Sequence, residues 1–500
     1  MYVSTRGAAD KLTAAAAIAQ GIAPDGGLFV PEAIPSVDKA VLTGLLPLSY
    51  QERAATILAL FLPDYTQEEL NSCIAGAYGG AKFTSPAVAP VTRVTDDIFA
   101  LELWHGPTSA FKDMALQLLP RLLSCALNKI DEQAELVILV ATSGDTGKAA
   151  LEGFKDVEQT RVMVFYPEDG VSQIQRLQMI TQEGSNLTVF AVKGNFDDAQ
   201  TGVKHIFNDS AFNSTLAQCG FKLSSANSIN WGRLVPQIVY YFSAYADLVQ
   251  GKHITLGSPV NFVVPTGNFG NILAGYYAKC MGLPVNKLIC ASNSNNVLTD
   301  FLTTGVYNRN RQFYKTHSPS MDILISSNLE RLLYHMGNND PAQVAHWMHE
   351  LSTKGEYRVS PEQLQAIQAI FPSGWVDDAE TAATIGRIHK DYGYSLDPHT
   401  AVAWKVAEDY RRKSGDTTPQ VIVSTASPFK FNETVLAALT ENDGVKAKSE
   451  FAALNQLSEL TGLPIPPALA ELESKPVRHT AVCSKHAMPD VVKATLRITE

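Results

Sequence analysis

The sequence has no C-x-x-C pair and no basic run. It also has no apolar stretch of the roughly 18 residues that a membrane-spanning helix needs. Its six cysteines (Cys73, Cys125, Cys219, Cys280, Cys290 and Cys483) are scattered, and none stands beside a histidine at zinc-ligand spacing. That pattern argues against disulfides and a structural metal, and for reduced thiols in a reducing compartment. The chain lacks positive charge as well: its formal net charge of −10 would repel a phosphate backbone, which excludes non-specific nucleic-acid binding. An alanine run (Ala14 to Ala17) lies near the N-terminus without the basic start and long apolar core of a signal peptide. There is no internal repeat and no low-complexity segment. These absences lead to the expectation of a cytoplasmic protein with no nucleic-acid partner, no membrane partner and no metal.

What is present is ordinary globular material, 45% hydrophobic and 18% charged. Its 500 residues exceed what one compact core holds, so two or three domains are expected. Apolar residues recur at helical spacing from Leu12 to Ile18 and from Ala54 to Phe61, with a turn at Asp25, Gly26 and Gly27 and a short strand between. Gly76, Gly79, Gly80, Pro86 and Pro90 mark the exit, which gives a helical N-terminal domain over residues 1–90. Strands then alternate with helices. The runs Glu135 to Ala141, Arg161 to Pro167, LTVFAVKG, VNFVVP, Lys287 to Ser292 and QVIVSTAS are continuously apolar and of strand length. This alternation indicates βαβ units, that is, an α/β region over residues 91–435 with mostly parallel open sheets flanked by helices. The Pro-punctuated tail, residues 436–500, reads as a helical segment packed on that core.

Four stretches carry chemistry. LELWHGPTSAFKDM places Lys112 just past a Gly-Pro turn, ahead of an apolar, helix-forming run. By itself a lysine there is usually a solvated surface residue. VVPTGNFGNI reads as a strand, a Gly-rich turn and a helix starting near Asn271, a geometry that aims backbone N–H groups and a helix dipole at one point. ATSGDTGKAA is no Walker A loop. The glycine that such a loop needs about five positions before its Gly-Lys pair is replaced by Thr142, and Ala149 follows Lys148. It reads either as a cradle for a small carboxylate or as an N-cap built on Ser143 or Asp145. SSANSINWGRLVPQ offers Asn227, Ser228, Asn230 and Arg233, either as a polar pocket wall with Arg233 facing a phosphate or as a capped loop with a structural ion pair. In STASPFKF, Thr425 at a strand end could hydrogen-bond a pyridine nitrogen. Together these stretches supply an amine for a Schiff base, an anion cradle and a ring-nitrogen partner.

In this order and spacing HGPTSAFKD, ATSGDTG, NSINWGR and PTGNFGN resemble the threonine synthase family of fold-type II pyridoxal phosphate enzymes. YVSTRG, APDGGLFVPE, SLDPHTAVA and STASPFKF extend the resemblance over nearly the whole chain. One departure stands after the late strand, where Ser427 and Phe429 replace an expected histidine and alanine. The resemblance implies a fold like the tryptophan synthase β subunit. It also implies conversion of O-phospho-L-homoserine and water to L-threonine and phosphate, by a monomer or homodimer. Lys112 would be the Schiff-base lysine and acid/base. Gly267, Asn268, Phe269, Gly270 and Asn271 would hold the cofactor phosphate, and Thr425 the pyridine nitrogen. Thr142, Ser143, Gly144, Asp145 and Thr146 would receive the substrate carboxylate, with Asn227, Ser228, Asn230 and Arg233 as further substrate contacts. The rivals are a phospho-lyase ending in 2-oxobutyrate, a serine/threonine dehydratase, and a non-catalytic phosphometabolite-binding protein.

Overall fold

Strands that are apolar at every position need cover on both faces, and the chain meets that need with two sheets sandwiched by helices. The computed structural model describes residues 1–7, 10–142, 144–168, 171–440 and 447–498. In the larger sheet the strand order is Ser373–Trp375, Val285–Ser292, Val260–Pro265, Gln420–Ser424, Ile98–Glu102 and Val91–Arg93. Every neighbouring pair is parallel except the last. The central strands Val260–Pro265, Gln420–Ser424 and Ile98–Glu102 are buried along their whole length. The second sheet runs Ala481–Ser484, Leu187–Lys193, Thr160–Pro167, Glu135–Ala141 and Phe221–Ser224, parallel throughout. The expected mostly parallel α/β architecture is therefore present.

The tail departs from the helical expectation. Helices Glu450–Thr461 and Met488–Leu496 are there, but Ala481–Ser484 joins the second sheet as an edge strand. Only Cys483 of that strand is buried, so the sequence carries neither an apolar run nor a clean alternation to betray it. The apolar run after Lys112 also divides. Lys112–Leu116 is a short helix, and a second one, Leu119–Lys129, begins with Pro120 in its first turn, where the missing N–H has no intrahelical partner to lose.

The N-terminal helices Tyr50–Phe61 and Gln67–Tyr78 each start with a capping box, Ser49 with Glu52 and Thr66 with Glu69. Strand Tyr2–Ser4 pairs antiparallel with Phe29–Pro31. This module is locked to the α/β region around Trp231, whose ring is fully buried 5.3 Å from Tyr2, 5.6 Å from Phe61 and 5.4 Å from Tyr277. Trp231 opens the 20-residue helix Trp231–Gln250, which runs through the centre of the molecule and is buried on nearly every side. Among the described residues, no helix is long and apolar enough to cross a membrane.

Candidate active site

The turn that carries Lys112 is built from inside. Asp113 is fully buried and accepts hydrogen bonds from the Thr108 backbone N–H (2.7 Å) and hydroxyl (2.8 Å). Burial pushes its carboxyl up to about 6, against the opposing pull of those two hydrogen bonds. A side chain at Gly106 would strike Asp113 at 2.5 Å, so the Gly-Pro turn needs its glycine. The same turn is tied to the end of the late strand: Phe111 N–H donates to Thr425 O at 2.8 Å and Ser427 N–H to Ser109 O at 3.0 Å. Lys112 and Thr425 are thereby brought to the carboxyl ends of the central strands, where open α/β sheets place their ligands. The Thr425 hydroxyl has no partner among the described residues.

Lys112 is buried, and its Nζ donates to Ser320 Oγ at 3.1 Å and lies 3.5 Å from Asp145 Oδ2. Burial lowers its pKa from the ordinary lysine value; Asp145 opposes that shift, while Lys430 and Arg233 reinforce it. Asp145 is the hub. Its Oδ1 takes Lys430 Nζ at 3.0 Å and Gln175 Nε2 at 3.2 Å, and its Oδ2 accepts from the Ser320 hydroxyl at 3.0 Å. Burial opposes its ionisation, but Lys430 and then Lys112 hold it far below the usual carboxylate range. Ser320 N–H in turn donates to His399 Nε2 at 3.1 Å, which makes that nitrogen the acceptor and leaves Nδ1–H to Asp397 at 2.7 Å. Lys430, Gln175, Ser320, His399 and Asp397 were not picked out by sequence reasoning as site residues. Lys430 and His399 do stand inside stretches that were singled out, STASPFKF and SLDPHTAVA.

The Gly-rich turn between strand Val260–Pro265 and helix Gly270–Met281 has its carbonyls tied from outside. Ser326 Oγ donates to Gly267 O at 2.7 Å, and Asn328 N–H donates to Asn268 O at 3.1 Å. Phe269 sits at φ 63°, the left-handed region. Among the described residues, no acceptor takes the N–H groups of Gly267, Asn268, Phe269, Gly270 or Asn271. Asn271 adds a side-chain donor. Its Oδ1 accepts from the Tyr240 and Tyr241 hydroxyls, each at 2.7 Å, and its buried Nδ2 is left without a partner. Six donors converging at a helix N-terminus fit a phosphate dianion. A side chain at Gly267 would meet the Ser320 carbonyl at 2.6 Å, so this cradle abuts the residue that touches Lys112.

The remaining expected residues divide. Among the described residues, the N–H groups of Asp145 and Thr146, at the start of helix Asp145–Phe154, have no acceptor. Gly144 stands at φ 139° against the Gln175 side chain. Ser143 lies outside the described residues. The Thr142 hydroxyl accepts the Gly144 and Gly147 N–H groups, each at 3.0 Å, which braces the loop and leaves its own O–H as a donor. The Asp145 side chain faces the two lysines, while its backbone N–H stays in the expected carboxylate cradle. Asn230 is a correction: its buried amide donates to Ile18 O and caps Gly232 N–H, which fastens helix Trp231–Gln250 to the N-terminal module. Asn227 is exposed, and Ser228 sits against Gly270 of the phosphate cradle, where it accepts from Asn328. Lys148 is locked to Glu152 at 2.9 Å and to Gln182, away from any phosphate role.

Arg233 is 5% exposed, its Nη1 donates to Ala226 O, and its buried Nε has no partner. Among the described residues no carboxylate lies within 4.0 Å of it. Burial lowers its pKa to about 10, and Asp113 and Tyr240 oppose the shift. Arg331, equally buried, is instead satisfied by Phe29 O, Ser228 O, Ile229 O and Asn328 Oδ1. Ser427 and Phe429, the departures noted in the sequence, serve the scaffold: Ser427 caps the turn Pro428–Phe431, and Phe429 packs in the core.

Comparison with known proteins agrees with this geometry. The family described as threonine synthase N terminus matches residues 1–78, pyridoxal-phosphate dependent enzyme residues 83–427, and threonine synthase, C-terminal residues 400–494. The threonine synthase of Pseudomonas aeruginosa is 40% identical over 438 residues, 87% of this chain and 89% of that protein. The chain belongs to the threonine synthase family. The crystal structure of pyridoxal phosphate-bound threonine synthase from Brucella melitensis superimposes with a TM-score of 0.87 at 39% identity, covering 99% of this chain and 98% of that one. Human threonine synthase-like 1 is 44% identical over 433 residues, 85% of this chain, and the match spans 57% of that protein's length. Like the rest of its family, the chain has a fold-type II architecture and takes pyridoxal phosphate, for which the cradle, Lys112 and Thr425 supply a fitting donor set.

Proposed function

We propose that the chain converts O-phospho-L-homoserine and water to L-threonine and phosphate, in the cytoplasm and as a monomer or homodimer. Residues 1–90, 91–435 and 436–500 would be its N-terminal, catalytic and C-terminal segments. The observation that carries the reading is Arg233, a buried guanidinium with no carboxylate within 4.0 Å among the described residues, close enough to Lys112 to act on it electrostatically. Leaving a buried charge unpaired is costly, so a site that keeps one is built for an anionic ligand. The cofactor phosphate has its own cradle at residues 267–271, which leaves Arg233 for the phosphate of the substrate.

Bound pyridoxal phosphate withdraws electrons from the substrate's amine-bearing carbon and makes the neighbouring hydrogens acidic. The residues do the rest. The amides of Asp145 and Thr146 hold the substrate carboxylate at a helix N-terminus. Lys112 would take the proton from Cα, and burial, by lowering its basicity, favours the neutral amine that can do so. Arg233 holds the γ-phosphate while it departs. Over the turnover Cγ loses phosphate and gains hydrogen, and Cβ exchanges a hydrogen for the hydroxyl of water. Lys112 would carry the protons, and the Thr425 hydroxyl would hold the ring nitrogen of the cofactor without protonating it.

Purified protein incubated with O-phospho-L-homoserine, with phosphate and carbon product followed together, tests this reading. Phosphate with equimolar threonine is expected. Phosphate with 2-oxobutyrate would replace the synthase by a phospho-lyase, and no phosphate at all would overturn both.

A further inference from the structure

We propose that Lys430 is a positioning residue for Lys112: it grips one oxygen of Asp145 and so presents the other, with the Ser320 hydroxyl, to the Lys112 amine. The inference rests on the reading of Lys112 as the cofactor lysine.

Lys430 has no exposed side-chain surface, and its Nζ makes two contacts, Asp145 Oδ1 at 3.0 Å and Thr108 O at 2.9 Å. A wholly buried lysine is expensive to keep unless its partner matters. Thr108 is the residue whose N–H and hydroxyl hold Asp113, next in sequence to Lys112. Lys430 therefore joins the turn that carries the reactive amine to the helix that carries its counter-ion. Without it, Lys112 would be the one lysine or arginine within 4.0 Å of Asp145 among the described residues, and the ion pair would tighten.

Ser320 completes the arrangement from a third direction. Its hydroxyl accepts from Lys112 and donates to Asp145, while its backbone N–H is fixed by His399. The loop that carries Ser320 is itself pinned, because the Asp322 carboxylate accepts from Asn293 at 2.8 Å, Asn295 at 2.9 Å and the Thr316 hydroxyl at 2.7 Å. The charged and titratable groups facing the two amines are Asp145 on helix Asp145–Phe154, Arg233 on helix Trp231–Gln250, His399 with Asp397 behind it, and Asp113 on the lysine's own helix. Across this set Asp145 favours the charged form of Lys112, whereas Lys430 and Arg233 favour the neutral one. Lys430 thus does two things with one charge: it orients Asp145 and offsets its hold on the amine.

The test uses the full chain, stripped of cofactor and checked to take it up again. Lysines are acylated with acetic anhydride across a pH series, and the peptide carrying Lys112 is quantified by mass spectrometry. Lys430→Met is expected to move the half-labelling pH of Lys112 upward, and Asp145→Asn to move it downward, since only the neutral amine reacts. Lys430→Arg, which keeps the charge, should restore the wild-type value, and the pH dependence of the cofactor absorbance in the loaded protein should follow the same order. A purely structural lysine would give no such opposite pair of shifts, so an unchanged or lowered value in Lys430→Met overturns the proposal. Should Lys430→Met fail to fold, Asp145→Asn decides alone, and an unchanged half-labelling pH in that variant overturns it equally. Borohydride trapping of pyridoxal phosphate on the wild-type chain reports separately on the parent reading, which fails if the cofactor is found on a peptide other than that of Lys112.

Discussion

Tyr241 donates its hydroxyl to Asn271 Oδ1 at 2.7 Å, and Tyr240 does the same from the other side. Between them the two phenols fix which way the amide faces. Its oxygen is taken, and its nitrogen is left buried and bare at the start of a helix. The consequence is a directed donor, which the proposed cradle would offer to the cofactor phosphate. Asn271→Ala is expected to weaken pyridoxal phosphate binding about tenfold, in line with a single hydrogen bond to a charged group. Asn271→Asp sets a carboxylate against the phosphate and should weaken binding more strongly. Tyr241→Phe, with Tyr240 left to orient the amide, should cost about threefold. Fluorescence titration of cofactor-stripped protein measures all three, and an unchanged affinity in Asn271→Ala would remove that amide from the cradle.

Lys112→Ala should abolish turnover and the cofactor's visible absorbance together, while leaving the protein folded. The surrounding residues keep their own partners, since Asp145 retains Lys430, Gln175 and Ser320. Circular dichroism checks the fold and absorbance checks the attachment. Retained activity with coloured protein would sink the assignment.

Arg233 invites a variant that separates function from stability. Arg233→Met keeps an elongated side chain and removes a buried charge without a carboxylate partner, so the cofactor-free protein should gain stability, by about 1 kcal/mol or more. The same change should raise the KM for O-phospho-L-homoserine well above its effect on cofactor affinity. Urea unfolding and steady-state kinetics read the two effects. A KM equal to that of the wild type would place the substrate phosphate elsewhere.

Much of this was legible in the sequence because it was local. The Gly-rich turn, the lysine at its helix start and the apolar strands are each written within about ten consecutive residues, and the structure has them as strand, turn and helix. What was not legible is what arises between distant segments. Asn230 looks like any pocket amide until the fold sets Ile18 beside it. Lys430 and Ser320 lie 318 and 208 positions from Lys112, so no spacing rule links them, and the hub at Asp145 joins residues from five segments of the chain. The edge strand Ala481–Ser484 escaped for a similar reason: it takes its order from Leu187–Lys193 rather than from any pattern of its own.

Asp113 gives a pH dependence whose sign can be worked out. Its carboxyl is pushed by burial from the ordinary 3.8 up to about 6 in the folded protein. Between about pH 4 and 6 the native state therefore keeps a proton that the unfolded chain releases, so this group's contribution to stability falls as pH rises through that window and is level above it. The full span corresponds to roughly 3 kcal/mol at 1.36 kcal/mol per unit. Asp113→Asn removes the titration and leaves an amide against the Thr108 N–H and hydroxyl, so the variant should be less stable than wild type at pH 4.5 and should recover part of that deficit by pH 7. Urea unfolding of both proteins at the two pH values measures the difference directly. A deficit that stays constant from pH 4.5 to 7 would mean that Asp113 is already ionised at the lower pH, and that its two hydrogen bonds from Thr108 outweigh its burial.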